Sequence, residues 1–346
     1  MAEMQYYIQL FLVLLLSTIA IIRVILTRKK NKNKNHLTSP RAPLALPIIG
    51  HFYLLSKLPV HQNFHNLSIQ YGPIMKLFLG YVPCVVVSSP EITKEFLKTH
   101  ETSFSNRLVN HVVHYLSYGS KDFMFAPYGD YWKFMKKICM SELLGGKTLD
   151  QFNPLRQQET LRLLNVLKKK GEAGEAVDVG AELLTLTNRI MTRMTISRAC
   201  CENDCDVEEI RKLVQDSSEL AGKFNLSDFI WFFKNWDLQG FNKRLKEMME
   251  RFDTMIERVI REHQEDMIKK RNENGEGAHV KDILDILLEI QENENSKMKL
   301  TRENVKAFIF DMFLAGTDTS STTIDWALAE LINKQSTCDG QSKTRD

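Results

Sequence analysis

The chain has only six cysteines in 346 residues, and they are scattered. That excludes a disulfide-built scaffold, which needs cysteine at high density in a short chain. Cys200, Cys201 and Cys205 lie close together but lack a second ligand pair, so they read as free thiols rather than zinc ligands. Glycine (16) and proline (9) are too sparse for a collagen-like or low-complexity chain. Long apolar runs are missing outside the first residues, which excludes a polytopic membrane protein. The net charge is only +3, so no strong field of one sign marks a nucleic-acid partner. There is no G-x-G-x-x-G, no P-loop, no H-E-x-x-H and no G-x-S-x-G. No internal repeat occurs, and strand signals are few.

What is present begins with a charge asymmetry. Residues 1–36 hold six Lys/Arg and one acid, whereas the rest holds 40 against 42. From Met4 to Ile22 run 19 uncharged, mostly apolar residues. As a helix they would extend about 28 Å, close to the hydrocarbon thickness of a bilayer. The basic cluster Arg28-Lys29-Lys30-Asn31-Lys32 follows the run instead of preceding it. That order fits an uncleaved signal-anchor with the body in the cytosol better than its rival, a cleaved signal peptide. The expected organisation is a transmembrane anchor over 1–27, a basic connector over 28–50 stiffened by Pro40, Pro43 and Pro47, a folded body over 51–334, and a polar tail over 335–346.

The body reads as mainly α with a small β part. Ile74–Leu79 and Val82–Ser88 flank Gly80-Tyr81 as a hairpin, and Ser89-Pro90-Glu91 is a helix start. Helices are expected over 90–99, 129–143, 151–169, 180–197, 207–222, 240–270 and 281–291, with a long one from Thr301 to Asn333. His61 and His65 are spaced like metal ligands, but without an acidic or third His partner they read as ordinary helix residues. Gly275-Glu276-Gly277 reads as a surface loop.

The last long helix is the most informative. Val305, Phe308, Ile309, Met312, Phe313 and Gly316 fall on one apolar face. Ala315-Gly316-Thr317-Asp318-Thr319-Ser320 then places small and polar residues in the helix interior, where Gly costs about 1 kcal/mol relative to Ala. Hydroxyls there compete with the helical backbone for hydrogen bonds. At 100° per residue Thr319 falls near the apolar face and Asp318 about 100° from it. One reading is a kinked core helix. The other is a site where a bulky ligand presses on the notch and the Asp/Thr pair handles protons.

At these residues the chain resembles a family. Ala315 to Ser320 is similar to the oxygen-activation motif of cytochrome P-450 haem-thiolate monooxygenases. Tyr131-Trp132-Lys133-Phe134-Met135-Lys136 resembles the family's W-x-x-x-R/K helix. Phe104-Ser105-Asn106-Arg107, Phe125-Ala126-Pro127-Tyr128-Gly129-Asp130 and Leu46-Pro47-Ile48-Ile49-Gly50-His51 resemble the plant microsomal type. Phe224 to Trp231, Asp237 to Phe241 and Lys137 to Leu144 are similar to its (iso)flavonoid-modifying branch.

The resemblance implies the fold of that family, haem as cofactor, electrons from NADPH through a reductase partner, and hydroxylation of a small apolar phenolic substrate of flavonoid, isoflavonoid or pterocarpan type. It implies the endoplasmic reticulum membrane as location, the catalytic body facing the cytosol, and no nucleic-acid partner. By the same resemblance Trp132 and Lys136 bind the haem propionates, a role that suits an indole N–H and a cation. Asp318 and Thr319 relay protons to the oxygen side of the haem. Ala315 and Gly316 leave room there. Phe308, Ile309 and Met312, with the 107–125 loop and the 222–232 segment, line the substrate pocket.

The family's iron-holding cysteine lies in an F-x-x-G-x-R-x-C-x-G loop, preceded by a Glu-x-x-Arg helix, and neither is in this sequence. Cys338 has none of that context, so no residue is assigned as an iron ligand. The resemblance ends near Asn333, which implies an incomplete member, truncated and inactive by itself. The competing expectation is a non-catalytic, membrane-anchored remnant that binds apolar ligands or protein partners.

Overall fold

In the computed structural model, residues 7–19, 22–23, 40–55, 59–196, 204–234, 236–272 and 281–334 are described. The connector over 28–39, Cys200, Cys201, the Gly275 loop, Cys338 and the tail lie outside them. Residues 7–19 are helical and exposed. Among the described residues no helix is long and apolar enough to cross a membrane.

The chain divides into two compact units, residues 1–105 with 225–238, and residues 106–224 with 239–346. The first unit is built on an antiparallel hairpin of β1 (Ile74–Leu79) and β2 (Val82–Val87), paired from Ile74 opposite Val87 to Leu79 opposite Val82. Met75 and Leu77 are its buried positions, two residues apart as alternation requires. The turn needs Gly80: its φ of +58° is left-handed, and a Cβ there would overlap the Phe229 carbonyl. The Arg41 carbonyl accepts the Lys76 N–H at 3.0 Å and ties the incoming chain to β1. Helix α1 (Val60–Tyr71), which carries exposed His61 and His65, precedes the hairpin. Helix α2 (Pro90–Lys94) follows it and continues into a π turn over Glu95–Thr99. Ser89 caps α2 by accepting the Ile92 N–H at 3.3 Å, with Pro90 at the first helical position.

The second unit holds the hydrophobic core. Its helices are α3 (His111–Leu116), α4 (Asp130–Ile138), α5 (Asn153–Glu172), α6 (Val179–Ile196), α7 (Asp204–Gly222), α8 (Phe241–Asn272), α9 (Ile283–Glu292) and α10 (Arg302–Asn333). On α8 Leu245, Met248, Met249, Phe252, Met255, Ile256 and Val259 recur at three- and four-residue intervals and are all buried. They form the stripe that an amphipathic helix turns toward a core. Ile283, Leu284, Leu287 and Leu288 of α9 and Val305, Phe308 and Ile309 of α10 join the same cluster. Each such side chain contributes about 1.5–3 kcal/mol by leaving water.

Polar braces set how these helices meet. Asp282 and Asp285 form a capping box at the start of α9, and Thr301 and Asn304 form another at the start of α10. His263 of α8 faces the Val259 carbonyl through Nδ1 at 2.9 Å and the Asp282 carboxylate through Nε2 at 2.8 Å. Burial opposes its charge, but the bond and field of Asp282 outweigh that and hold the imidazole pKa above its ordinary value. Between α5 and α6, buried Glu159 accepts from Arg189 at 2.9 Å and from Arg193 at 2.5 Å. Burial alone would raise its pKa, yet the two guanidinium groups carry it below the ordinary value.

Helix α10 runs uninterrupted from Arg302 to Asn333 through its small and polar residues. The hydroxyls of Thr319, Ser321 and Thr323 turn inward and donate to the carbonyls four residues back, at 2.8, 3.2 and 2.7 Å. The competing bonds are thus absorbed by the helix itself.

Candidate functional site

The site grows from the segment between α3 and α4. Tyr118, Gly119 and Ser120 have φ of 52°, 79° and 63°, three left-handed residues in succession. Such conformations at non-glycine residues persist only where surrounding contacts impose them. The contacts are present. The Tyr118 hydroxyl donates to Asp253 of α8 at 2.7 Å, and the Ser120 N–H donates to the Ser117 hydroxyl at 2.9 Å. The Lys121 carbonyl accepts from Tyr131 and from Asn304 of α10, and the Lys121 ammonium pairs with Glu303.

Two residues further on, the segment is caught by the central helix. One oxygen of Asp311, Oδ2, accepts the N–H groups of Phe123 and Met124 at 2.9 and 3.0 Å. Asp122 is 1% exposed and accepts the Phe125 N–H at 3.1 Å through its own Oδ2. The two carboxyls act on each other. Burial first, and then the facing acid, pushes Asp311 far above the carboxylate range, while burial drives Asp122 up as well. Burial, and then the nearby Asp311, raises the thiol of Cys139 to about 11.

This anchoring delivers an aromatic stack. The Phe123 ring lies 5.8 Å from Trp132 at an interplanar angle of 17° and 6.5 Å from Phe308 of α10. Tyr128 closes on Trp132 from 5.5 Å. Lys136, one turn along α4, places its ammonium 4.9 Å over the Trp132 ring, within cation–π range. Trp132 is half-buried and Lys136 exposed, so an indole and a cation meet solvent together.

The expected site residues separate into two groups. Trp132, Lys136 and Phe308 are brought together through Phe123. Ile309 is fully buried in the core, and Met312 is partly buried against it. Ala315, Asp318 and Thr319 are exposed on a helix whose first half is packed. Phe308, Ala315 and Thr319 lie within about 20° of one line along α10, and Thr319 stands three turns, about 16 Å, from Phe308. Gly316 points elsewhere: a Cβ there would lie 2.5 Å from Met191 Cε and 2.6 Å from Sδ, so α6 fills the space that glycine leaves. Thr317, also on the α6 side, is fully buried, and its carbonyl accepts the Thr187 hydroxyl at 2.7 Å. Among the described residues no hydrogen bond joins Asp318 or Thr319 to Trp132 or Lys136.

Phe123, Asp122 and Asp311 were not expected from the sequence. A signal for one of them is visible in retrospect. Asp311 is the lone charge in Ala307-Phe308-Ile309-Phe310-Asp311-Met312-Phe313, and an acid in an apolar helical run must find partners if it is buried.

Comparison with known proteins identifies the family. The cytochrome P-450 family profile matches residues 40–339, and the chain belongs to that family. Among its relatives is 3,9-dihydroxypterocarpan 6A-monooxygenase of Glycine max, 53% identical over 94% of this chain and 63% of that protein. Cytochrome P-450 93A3 of Glycine max is 55% identical over the same shares. 2-Hydroxyisoflavanone synthase of Glycyrrhiza echinata is 39% identical over 88% of this chain and 57% of that protein. The chain therefore spans under two thirds of the length of these curated relatives. A solved zebrafish cytochrome P-450 with progesterone shares the fold at a TM-score of 0.62 and 23% identity, covering 81% of this chain and 61% of that one.

Proposed function

We propose that the protein is a haem monooxygenase that hydroxylates a pterocarpan, isoflavonoid or flavonoid. The observation that carries this reading is the exposed line of Ala315 and Thr319 on the central helix, in register with the Phe308–Phe123–Trp132 stack. Haem fits the residues present: a flat apolar macrocycle with anionic propionates matches an aromatic and small-residue face edged by an indole N–H and an ammonium. When bound, haem supplies the oxygen chemistry. Trp132 and Lys136 hold its propionates, and Ala315 keeps side-chain bulk off its face. Thr319, whose hydroxyl donates to the Ala315 carbonyl, would turn that proton toward the oxygen side and take another in its place, with Asp318 passing protons from solvent. Met312, partly buried, borders the apolar side on which the phenolic substrate rests, with Phe308 buried behind it. Neither Cys84 nor Cys139 is offered as an iron ligand: a thiolate is the binding form, and burial keeps both thiols protonated.

NADPH-derived electrons reach the site from a reductase partner. Residues 1–27 anchor the protein in the endoplasmic reticulum membrane with the body in the cytosol, a reading supported by the apolar run of residues 4–22 and the basic residues after it. The substrate class is supported by the activities for which the pterocarpan and isoflavanone relatives are named. The test is incubation of membranes carrying the protein with a plant reductase, NADPH and 3,9-dihydroxypterocarpan. The expected result is an NADPH-dependent product heavier by one oxygen atom. No such product from any pterocarpan, isoflavone or flavanone would refute the reading.

A further inference from the structure

The acid that holds the Phe123 segment is not one of the groups assigned above to haem, oxygen or substrate, yet the geometry of the stack depends on it. Asp311 lies on the central helix beside Phe308. It grips the two consecutive N–H groups of Phe123 and Met124 with a single oxygen. The segment that presents those N–H groups has just passed through three left-handed residues, so it would not hold this path without a partner. Among the described residues Phe123 is the ring that lies against both Trp132 and Phe308. A displaced segment would therefore release the indole from the central helix.

We propose that Asp311 is the positioning residue of the site: by binding the Phe123 and Met124 N–H groups from within the central helix, it seats the Phe123 ring between Trp132 and Phe308 and so fixes the indole that flanks the cofactor. Asp122 is the counterpart that shapes the same turn from inside the segment, through the Phe125 N–H. Its side chain also hydrogen-bonds that of Asp311, a contact that needs a donor on one of the two groups. An amide at position 311 supplies one: its oxygen accepts the backbone N–H groups, and its NH2 can donate to Asp122. Asp311→Asn should therefore preserve the stack, and Asp311→Ala should lose it. The role in cofactor binding rests on the proposed function; the clasp itself does not.

The test uses the full chain in detergent without haem, so it is independent of cofactor binding. The Trp132 band in near-ultraviolet circular dichroism is isolated by difference against Trp132→Phe, and exchange of the Phe123 and Met124 amides is followed by mass spectrometry. In the wild type both amides should be protected like those of α10. Asp311→Ala should speed their exchange by about 10- to 100-fold and abolish the Trp132 band, as expected for loss of hydrogen bonds to a charged or strongly polar acceptor. Asp311→Asn should restore both. Phe123→Ala should abolish the band while leaving the Met124 amide protected.

Fast exchange of these amides in the wild type would overturn the proposal, and that result needs no variant to fold. A Trp132 band that survives either Asp311→Ala or Phe123→Ala would also overturn it. Haem titration is then read separately by quenching of Trp132. An intact clasp with no quenching would refute the cofactor reading and leave the positioning role standing.

Discussion

The two halves of α10 are similarly rich in large apolar residues and differ in what surrounds them. In the first half Val305, Phe308, Ile309, Phe310 and Phe313 are buried in the core cluster, where the Phe310 ring meets Phe252 of α8 at 4.9 Å. In the second half Trp326 is 67% exposed and Ile332 74%, with Ile324, Leu328 and Leu331 exposed beside them. The exposed line of Ala315 and Thr319 falls at the junction. Composition therefore does not decide burial here; the availability of a packing partner does.

The contrast is easiest to break at its buried end. Phe308 is 1% exposed, and Phe308→Ala is expected to lower unfolding free energy by about 3–5 kcal/mol, read by denaturant titration. Gly316→Ala comes next. It crowds the flexible end of Met191 while regaining about 1 kcal/mol of helix propensity, so the net change should lie within about 1 kcal/mol and become more favourable when combined with Met191→Ala; a double-mutant cycle should show the coupling.

The brace from α8 to α9 should stabilise the packed half in a pH-dependent way. The His263 pKa is raised in the folded state above its ordinary 6.5. Its contribution is therefore complete below about pH 6.5 and fades as pH climbs through the higher folded value. The stability gap between wild type and His263→Gln should be widest in mild acid and shrink in alkali; a gap that widens with pH would contradict the paired imidazolium. The smallest effect belongs to the exposed half, where Trp326→Ala should change stability by under about 0.5 kcal/mol. A loss comparable with that of Phe308 would show that the two halves do not differ.

Much of the helical frame was legible because periodicity and caps agree. The helix expected from Thr301 to Asn333 is Arg302–Asn333, and the one expected over 240–270 is Phe241–Asn272. Ser89, read as a helix start, caps its helix, and the structure adds Thr301 and Asp282 as caps. The helices expected over 90–99 and 129–143 occur, each finished by a π turn that sequence pattern does not encode. His111–Leu116 is too short to show a period.

The site was only half legible. Trp132, Lys136 and Thr319 stand out by spacing, but nothing local reveals that Gly316 accommodates Met191 from α6. Phe123 escaped notice because its importance comes from three partners distant in sequence, and Asp311 because a lone acid declares itself only once its neighbours are placed. The sequence also leaves open which side of α10 is covered, since that depends on packing partners rather than on period.

The most direct test of the central claim is titration of the protein with haem while Trp132 fluorescence is followed, using Trp132→Phe to subtract the other tryptophans. The claim predicts saturable quenching of the Trp132 signal, weakened at least about tenfold in affinity by Lys136→Glu, the loss expected for a charge-assisted contact turned repulsive. Quenching that is unchanged by Trp132→Phe, or indifferent to the charge at position 136, would contradict it.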